Sequence, residues 1–170
     1  MEIIKLPIED WQEYKKLRLR ALKEDPQAFG ASYKKNVKYP AKEWKRRLEN
    51  ALRDESNWLL FAKENGKLVG MIGAFIEEGS TDTATIIAMY VPKEERGKGI
   101  SKKLIDGILN ELSQKSFLKK TKLMVNKNQI PAVNLYQKFG FREIGKLKFK
   151  MGDGKLTDEL VMERDLLLRV

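Results

Sequence analysis

The chain has no cysteine, which excludes disulfides, zinc ribbons, iron–sulfur clusters and a cysteine nucleophile. It has no histidine either. That removes the Ser-His-Asp triad, imidazole-based zinc sites and the usual proton acceptor near neutral pH. Any chemistry is left to Tyr, Glu, Asp, Lys, Ser, Asn and backbone groups, and no metal is expected. No run approaches the roughly 18 consecutive apolar residues a membrane span needs. The start, MEIIKLPIEDW, lacks the basic and apolar regions of a signal peptide. The expectation is a cytoplasmic protein with no membrane partner.

What is present is an ordinary globular composition: 42% hydrophobic and 34% charged residues in a chain of 170. That length predicts one domain over residues 1–170, able to bury about 70% of the surface its unfolded form exposes. No repeat, low-complexity tract or linker interrupts it. The net charge of +10 is uneven, with 16 basic and 14 acidic residues before position 86 and 18 and 10 from there on. Residues 96–127 hold nine Lys or Arg against Asp106 and Glu111. Nucleic acid, a phosphorylated cofactor and plain solubility all fit such a patch.

Periodicity predicts a strand from Met1 to Leu6 and a helix from Ile8 to Glu24 with Trp11, Tyr14, Leu17, Ala21 and Leu22 on one face. A loop over Pro26–Pro40 leads to a helix from Ala41 to Leu52, with Trp44, Leu48, Ala51 and Leu52 inward. The runs Trp58–Lys63 and Lys67–Ile76 flank Asn65-Gly66, a strong hairpin signal, and Thr83–Val91 is a third strand. A helix over Gly99–Gln114, a strand over Lys120–Val125, a helix over Pro131–Phe139 and two strands around Gly152-Asp153-Gly154 complete the order βααβββαβαββ. The fold class is α/β with an antiparallel half.

The most informative stretch joins the third long strand to its helix: Val91-Pro92-Lys93-Glu94-Glu95-Arg96-Gly97-Lys98-Gly99-Ile100-Ser101. Two glycines let backbone N–H groups converge at a helix N-terminus, which favours an anion, and Lys98, Lys102 and Lys103 add mobile cations. G-x-G-x-x-G fails because Lys102 stands at the third glycine, and no Walker A loop occurs. Arg96 and Gly99 instead match R-x-x-G-x-[G/A] at its first two fixed positions, with the small Ser101 standing in the third, where Gly or Ala is usual. From Val125 to Phe141 the chain matches V-x-x-x-N-x-x-A-x-x-L-Y-x-x-x-G-F at every anchor except Gln129, where Asn is usual.

With these two motifs in order, the sequence resembles the GNAT superfamily of acetyl-CoA-dependent N-acetyltransferases. The resemblance implies the acyl-CoA N-acyltransferase fold, acetyl-CoA as cofactor and a small-molecule or peptide amine as acceptor. It implies a pyrophosphate cradle at Arg96, Gly97, Lys98, Gly99, Ile100, Ser101 and Lys102, and a strand bulge at Met89, Tyr90 and Val91 whose backbone meets the pantetheine arm and acetyl oxygen. Gln129 and Asn134 join the cofactor contacts, although Asn134 equally suits an exposed or capping role. Tyr136 becomes the general acid for the leaving sulfur, against the alternative of a core tyrosine. Glu77, Glu78 and Asp82 are the base candidates, or else a solvated turn. The segment Ile8–Leu52 forms the acceptor wall in this fold, so Phe29, Tyr33, Tyr39 and Trp44 either line an aromatic pocket or belong to a local core. The tail MGDGKLTDELVM resembles that of some polyamine-acetylating members, while LRLRALKEDPQAFGAS resembles members of unassigned substrate. Two other functions fit less well. A nucleic-acid or ribosome-associated protein lacks an RNA-binding signature, and Tyr136 speaks against an inactive acetyl-CoA sensor. A monomer or homodimer is expected.

Overall fold

The computed structural model describes residues 1–53 and 55–167. Its strands are β1 (Glu2–Ile4), β2 (Asn57–Glu64), β3 (Lys67–Ile76), β4 (Thr83–Tyr90), β5 (Lys120–Asn126), β6 (Arg142–Lys150) and β7 (Leu156–Asp165). Its helices are α1 (Trp11–Glu24), α2 (Tyr33–Asn36), α3 (Ala41–Arg53), α4 (Ile100–Ser113) and α5 (Ile130–Lys138). The order departs from expectation within Pro26–Pro40, which is not an unbroken loop: a 3-10 turn at Pro26–Ala28 and the single turn α2 occupy it. Both are one-turn elements without an apolar period, so the sequence carries no signal long enough to reveal them.

The seven strands form one sheet ordered β1-β2-β3-β4-β5-β7-β6, and every pairing is antiparallel except β4 with β5. α4 makes the crossover that a parallel pair requires. Ile100, Leu104, Ile105, Ile108 and Leu112 of α4 are all at most 2% exposed against the sheet, each contributing about 1.5–3 kcal/mol of burial. Val133 and Tyr136 of α5 join that layer. The opposite face buries Tyr14, Leu17 and Ala21 of α1 and Trp44 and Leu48 of α3 against Leu59, Phe61, Met71 and Tyr90. Leu52, expected to face inward, is 40% exposed because the buried stripe of α3 runs through Trp44, Leu48 and Ala51 and the next residue is turned about 100° away from it.

α1 and α3 pack on β2 and β3. Beyond them, Ile87, Met124 and Leu147 of β4, β5 and β6 remain substantially exposed. The outer strand β6 carries Arg142, Lys146, Lys148 and Lys150, charges that discourage edge-to-edge pairing. Among the described residues no helix is long and apolar enough to cross a membrane.

Candidate active site

The site begins where β4 leaves β5. The two strands pair from Thr83 with Lys120 to Ile86 with Leu123 and no further. On its other side β4 pairs Ile87 with Gly73 and Tyr90 with Met71, so Ala88 and Met89 together oppose the single residue Ile72. Ala88 has φ +60°, a left-handed conformation uncommon outside glycine. The extra residue makes a β-bulge, and it brings Tyr90 onto the same face as Ile87 although three positions separate them. The bulge therefore sits at Ala88–Met89, one residue earlier than expected.

Tyr90 consequently points at α1, 3% exposed, and its hydroxyl donates to Glu24 Oε2 at 2.7 Å. Arg20 donates from Nε to Glu24 and from both terminal nitrogens to Glu94. Arg20, then Tyr90, holds the Glu24 carboxyl below its usual range. Burial, then the bond to Glu24, raises the Tyr90 phenol. Arg96 donates from Nε to Val91 O at 3.0 Å and from Nη2 to Asp25. These contacts tie the loop after β4 to the C-terminal end of α1.

Gly97 and Gly99 have φ +80° and +77°, and a Cβ at either would meet nothing within 4 Å. The loop thus curls its backbone around open space at the N-terminus of α4, which Gly99 caps without any side-chain hydrogen bond. Such a cradle suits a diphosphate group. Lys98 Nζ is held by Glu95 at 2.6 Å beside it.

A cleft of about 460 Å³ runs between these elements. Met89, Tyr90, Val91, Arg96 and Ser101 form one wall, Gln129, Pro131, Ala132, Leu135 and Tyr136 the other, and Asp25, Gln27 and Ala28 close one side. Tyr136 is 7% exposed and packs edge-on to Phe141 at 5.8 Å. Burial alone pushes its phenol up to about 12. A second groove of about 1100 Å³ lies between α4 and α5, lined by Lys102, Asp106 and Lys138 among others. It holds none of the bulge residues.

A model of the acetyltransferase (GNAT) family matches residues 11–141. The chain belongs to the GNAT family. Along 93 residues it is 27% identical to a spermine/spermidine N(1)-acetyltransferase of Bacillus subtilis, covering 55% of this chain and 60% of that relative. This GNAT chain thus aligns with less than two thirds of the relative's length. A GNAT-family acetyltransferase from Streptococcus pneumoniae superposes with TM-score 0.83 at 20% identity, covering 96% and 98% of the two chains. The PaiA N-acetyltransferase of Thermoplasma acidophilum, solved in complex with coenzyme A, gives 0.73 at 19% identity over 96% and 98%. These likenesses establish the fold.

The cleft unites Met89, Tyr90, Val91, Arg96, Ser101, Gln129 and Tyr136, residues drawn from three parts of the sequence. Gly97 and Gly99 line the adjoining open cradle, and Ile100 is buried beneath it. Lys102 faces the second groove, and Asn134 is exposed on α5 outside the cleft. The four aromatics do not line it. Trp44 and Phe29 are buried in the cluster under α1, Tyr39 stacks edge-on to Trp44 at 6.2 Å, and Tyr33 is exposed on α2.

The three base candidates sit at the other end of β4. Glu77 accepts from Thr85 Oγ1 at 2.8 Å and from Lys122 Nζ at 3.0 Å, and Lys122 holds its carboxyl below the usual range. Asp82 accepts from Thr83, while Glu78 is exposed in the turn. Because of the bulge, Thr85 and Tyr90 stand opposite Phe75 and Met71, four residues apart on β3, which is about 13 Å at 3.3 Å per residue. Asp25, Gln27 and Ala28 were missed because nothing in a short polar stretch after a helix reports which part of the sheet it crosses. The only signal was Asp25-Pro26, which stops α1 and turns the chain.

Proposed function

We propose that this protein transfers the acetyl group of acetyl-CoA to the primary amine of a small molecule or peptide by direct attack on the thioester. The observation that carries this is the meeting of the bulged strand and Tyr136 in one cleft, with the glycine cradle adjoining it. The bound cofactor supplies an acetyl group activated as a thioester. Backbone N–H groups around Met89–Val91, beyond the point where β4 stops pairing with β5, donate to the acetyl oxygen as it gains charge. The acceptor nitrogen bonds to the carbonyl carbon and loses a proton, the carbon–sulfur bond breaks, and the Tyr136 hydroxyl gives its proton to the departing sulfur. Polyamines are the favoured acceptors, in keeping with the activity named for the Bacillus subtilis relative.

The test is thiol release from acetyl-CoA against a panel of amines, with coenzyme A binding followed by calorimetry. Affinity is expected to fall as salt rises, because the cradle lies in the basic segment 96–127. Lys98→Ala should weaken binding several-fold, and Lys102→Ala less, because Lys102 faces the second groove and acts on the cradle only through its charge. Absence of binding at low salt would remove the reading.

A pH prediction follows from the remoteness of Glu77, Glu78 and Asp82 and from the absence of histidine. The amine must lose its proton largely through its own equilibrium, and an alkylammonium titrates near 10. kcat/KM should rise through neutral pH toward about 9, with an apparent pKa that tracks the acceptor across a series of amines. A limb fixed at one pH for every amine, and lost in Glu77→Gln, Glu78→Gln or Asp82→Asn, would instead identify an enzymic base.

A further inference from the structure

We propose that Glu159 on β7 holds a second cationic group of the acceptor, which makes the preferred acceptor a diamine or polyamine; this rests on the amine acetylation proposed above. Glu159 is 3% exposed, and its Oε1 is fully buried with no hydrogen-bond partner among the described residues. A buried carboxylate without a counter-ion is costly, so its persistence marks a site whose partner arrives from outside.

The other carboxylates of the strand are all engaged. Asp158 binds Lys127, Glu163 binds Lys120, and Asp165 accepts from the Leu167 backbone. The carboxylates nearer the bulge are likewise engaged, Glu24 by Arg20 and Tyr90 and Asp25 by Arg96, as is Glu77 at the far end of β4, by Lys122 and Thr85. Glu159 differs from each of them in carrying a buried oxygen without a donor.

Its position gives that oxygen a purpose. Leu160 and Met162 belong to the core under α4 and α5, so by alternation Glu159 faces the opposite side of the sheet. In register it stands beside Asn126 of β5 and Leu147 of β6. Asn126 lies three residues past Leu123, where β4 has already separated, and hence at the cleft end of the sheet. The 3-10 turn Pro26–Ala28 packs over β5, and the chain after it docks on the β6–β7 hairpin. There Phe29 O accepts from Gly152 N at 2.9 Å, and a Cβ on Gly152 would stand 2.1 Å from Ala31 O. Gln27 and Ala28 of this same segment close the cleft.

Glu159 therefore lies one strand spacing, about 5 Å, from Asn126 at the end of β5, on the face that the cleft-closing segment crosses. An acceptor with one amine at the thioester and its tail beneath that segment brings the far cation to this carboxylate. On a chain of net charge +10 a polycation is otherwise repelled, so a desolvated carboxylate supplies both attraction and register.

The experiment compares kcat/KM for 1,4-diaminobutane and n-butylamine in the native enzyme and in Glu159→Gln, which keeps the shape and removes the charge. The native enzyme should prefer the diamine, and the variant should lose about 10- to 100-fold more on the diamine than on butylamine. Equal losses on both acceptors, or no diamine preference in the native enzyme, would overturn the assignment while leaving amine acetylation standing. Failure to acetylate any amine, despite coenzyme A binding, would overturn both. Melting curves guard against a misfolded variant. Removing an unpaired buried charge should leave the melting temperature unchanged or higher, and 1,4-diaminobutane should raise it more for the native chain than for the variant. A fall of several degrees in Glu159→Gln would mean that the carboxylate is structural, which overturns the proposal.

Discussion

Tyr136→Phe is expected to lower kcat by about 10²- to 10⁴-fold while leaving the fold intact. The ring is 7% exposed and packs edge-on to Phe141, so phenylalanine retains the volume and the aromatic contact and loses only the hydroxyl. A general acid must hold its proton until the leaving group needs it. With its phenol pushed up to about 12 by burial, Tyr136 stays protonated across every practical assay pH. The sign is simple: the neutral form is the one present below the pKa, and the shift is upward. No alkaline limb from this group should therefore appear below about pH 11. Burial that opposes a phenolate would also oppose a thiolate beside it, so a proton passed from Tyr136 to the leaving sulfur would move between two groups whose anions are both penalised. Single-turnover kinetics with a saturating amine will check the expectation. A chemical step that runs at the native rate in Tyr136→Phe would leave this residue as core packing.

Gly99→Val should reduce coenzyme A affinity by about 100-fold or more, a larger effect than either lysine change. At φ +77° any L-residue is strained by about 1–2 kcal/mol, and a β-branched residue fits worst. Nothing in the protein lies within 4 Å of a would-be Cβ, so the new side chain enters the open space proposed for the diphosphate. Loss of binding should then exceed loss of stability. For a chain of this size the strain corresponds to a fall of about 2–8 °C in melting temperature. Gly99→Ala, with the same backbone penalty and less bulk, should fall between native and Val. Calorimetric titration of each variant decides the matter, and coenzyme A binding to Gly99→Val as tightly as to the native chain would take the phosphate site away from this loop.

The elements were legible in the sequence wherever a period or a turn signal ran long enough to be read. The apolar positions of α4 recur on one helical face and are all buried, and Asn65-Gly66 joins β2 to β3. The glycine loop and the motif around Tyr136 could be named because they are contiguous strings, and local backbone chemistry is written in contiguous residues. What lies between strings could not be read in the same way. Phe29 and Trp44 looked as suited to a pocket as to a core, and only packing against α1 and the sheet decides for the core. Glu77, Glu78 and Asp82 are close to the cleft in sequence, yet strand length carries them to the far end of β4. The bulge at Ala88–Met89 depends on which residue of β3 stands opposite, a relation between two strands that neither encodes alone. Asp25, Gln27 and Glu159 acquire their places for a similar reason: a short segment crosses the sheet, and the side chains it covers come from strands about 90 or more residues later. Local propensity and periodicity act over a few turns, so they determine the elements. The site is set by long-range packing and register, which exist only once the sheet has formed.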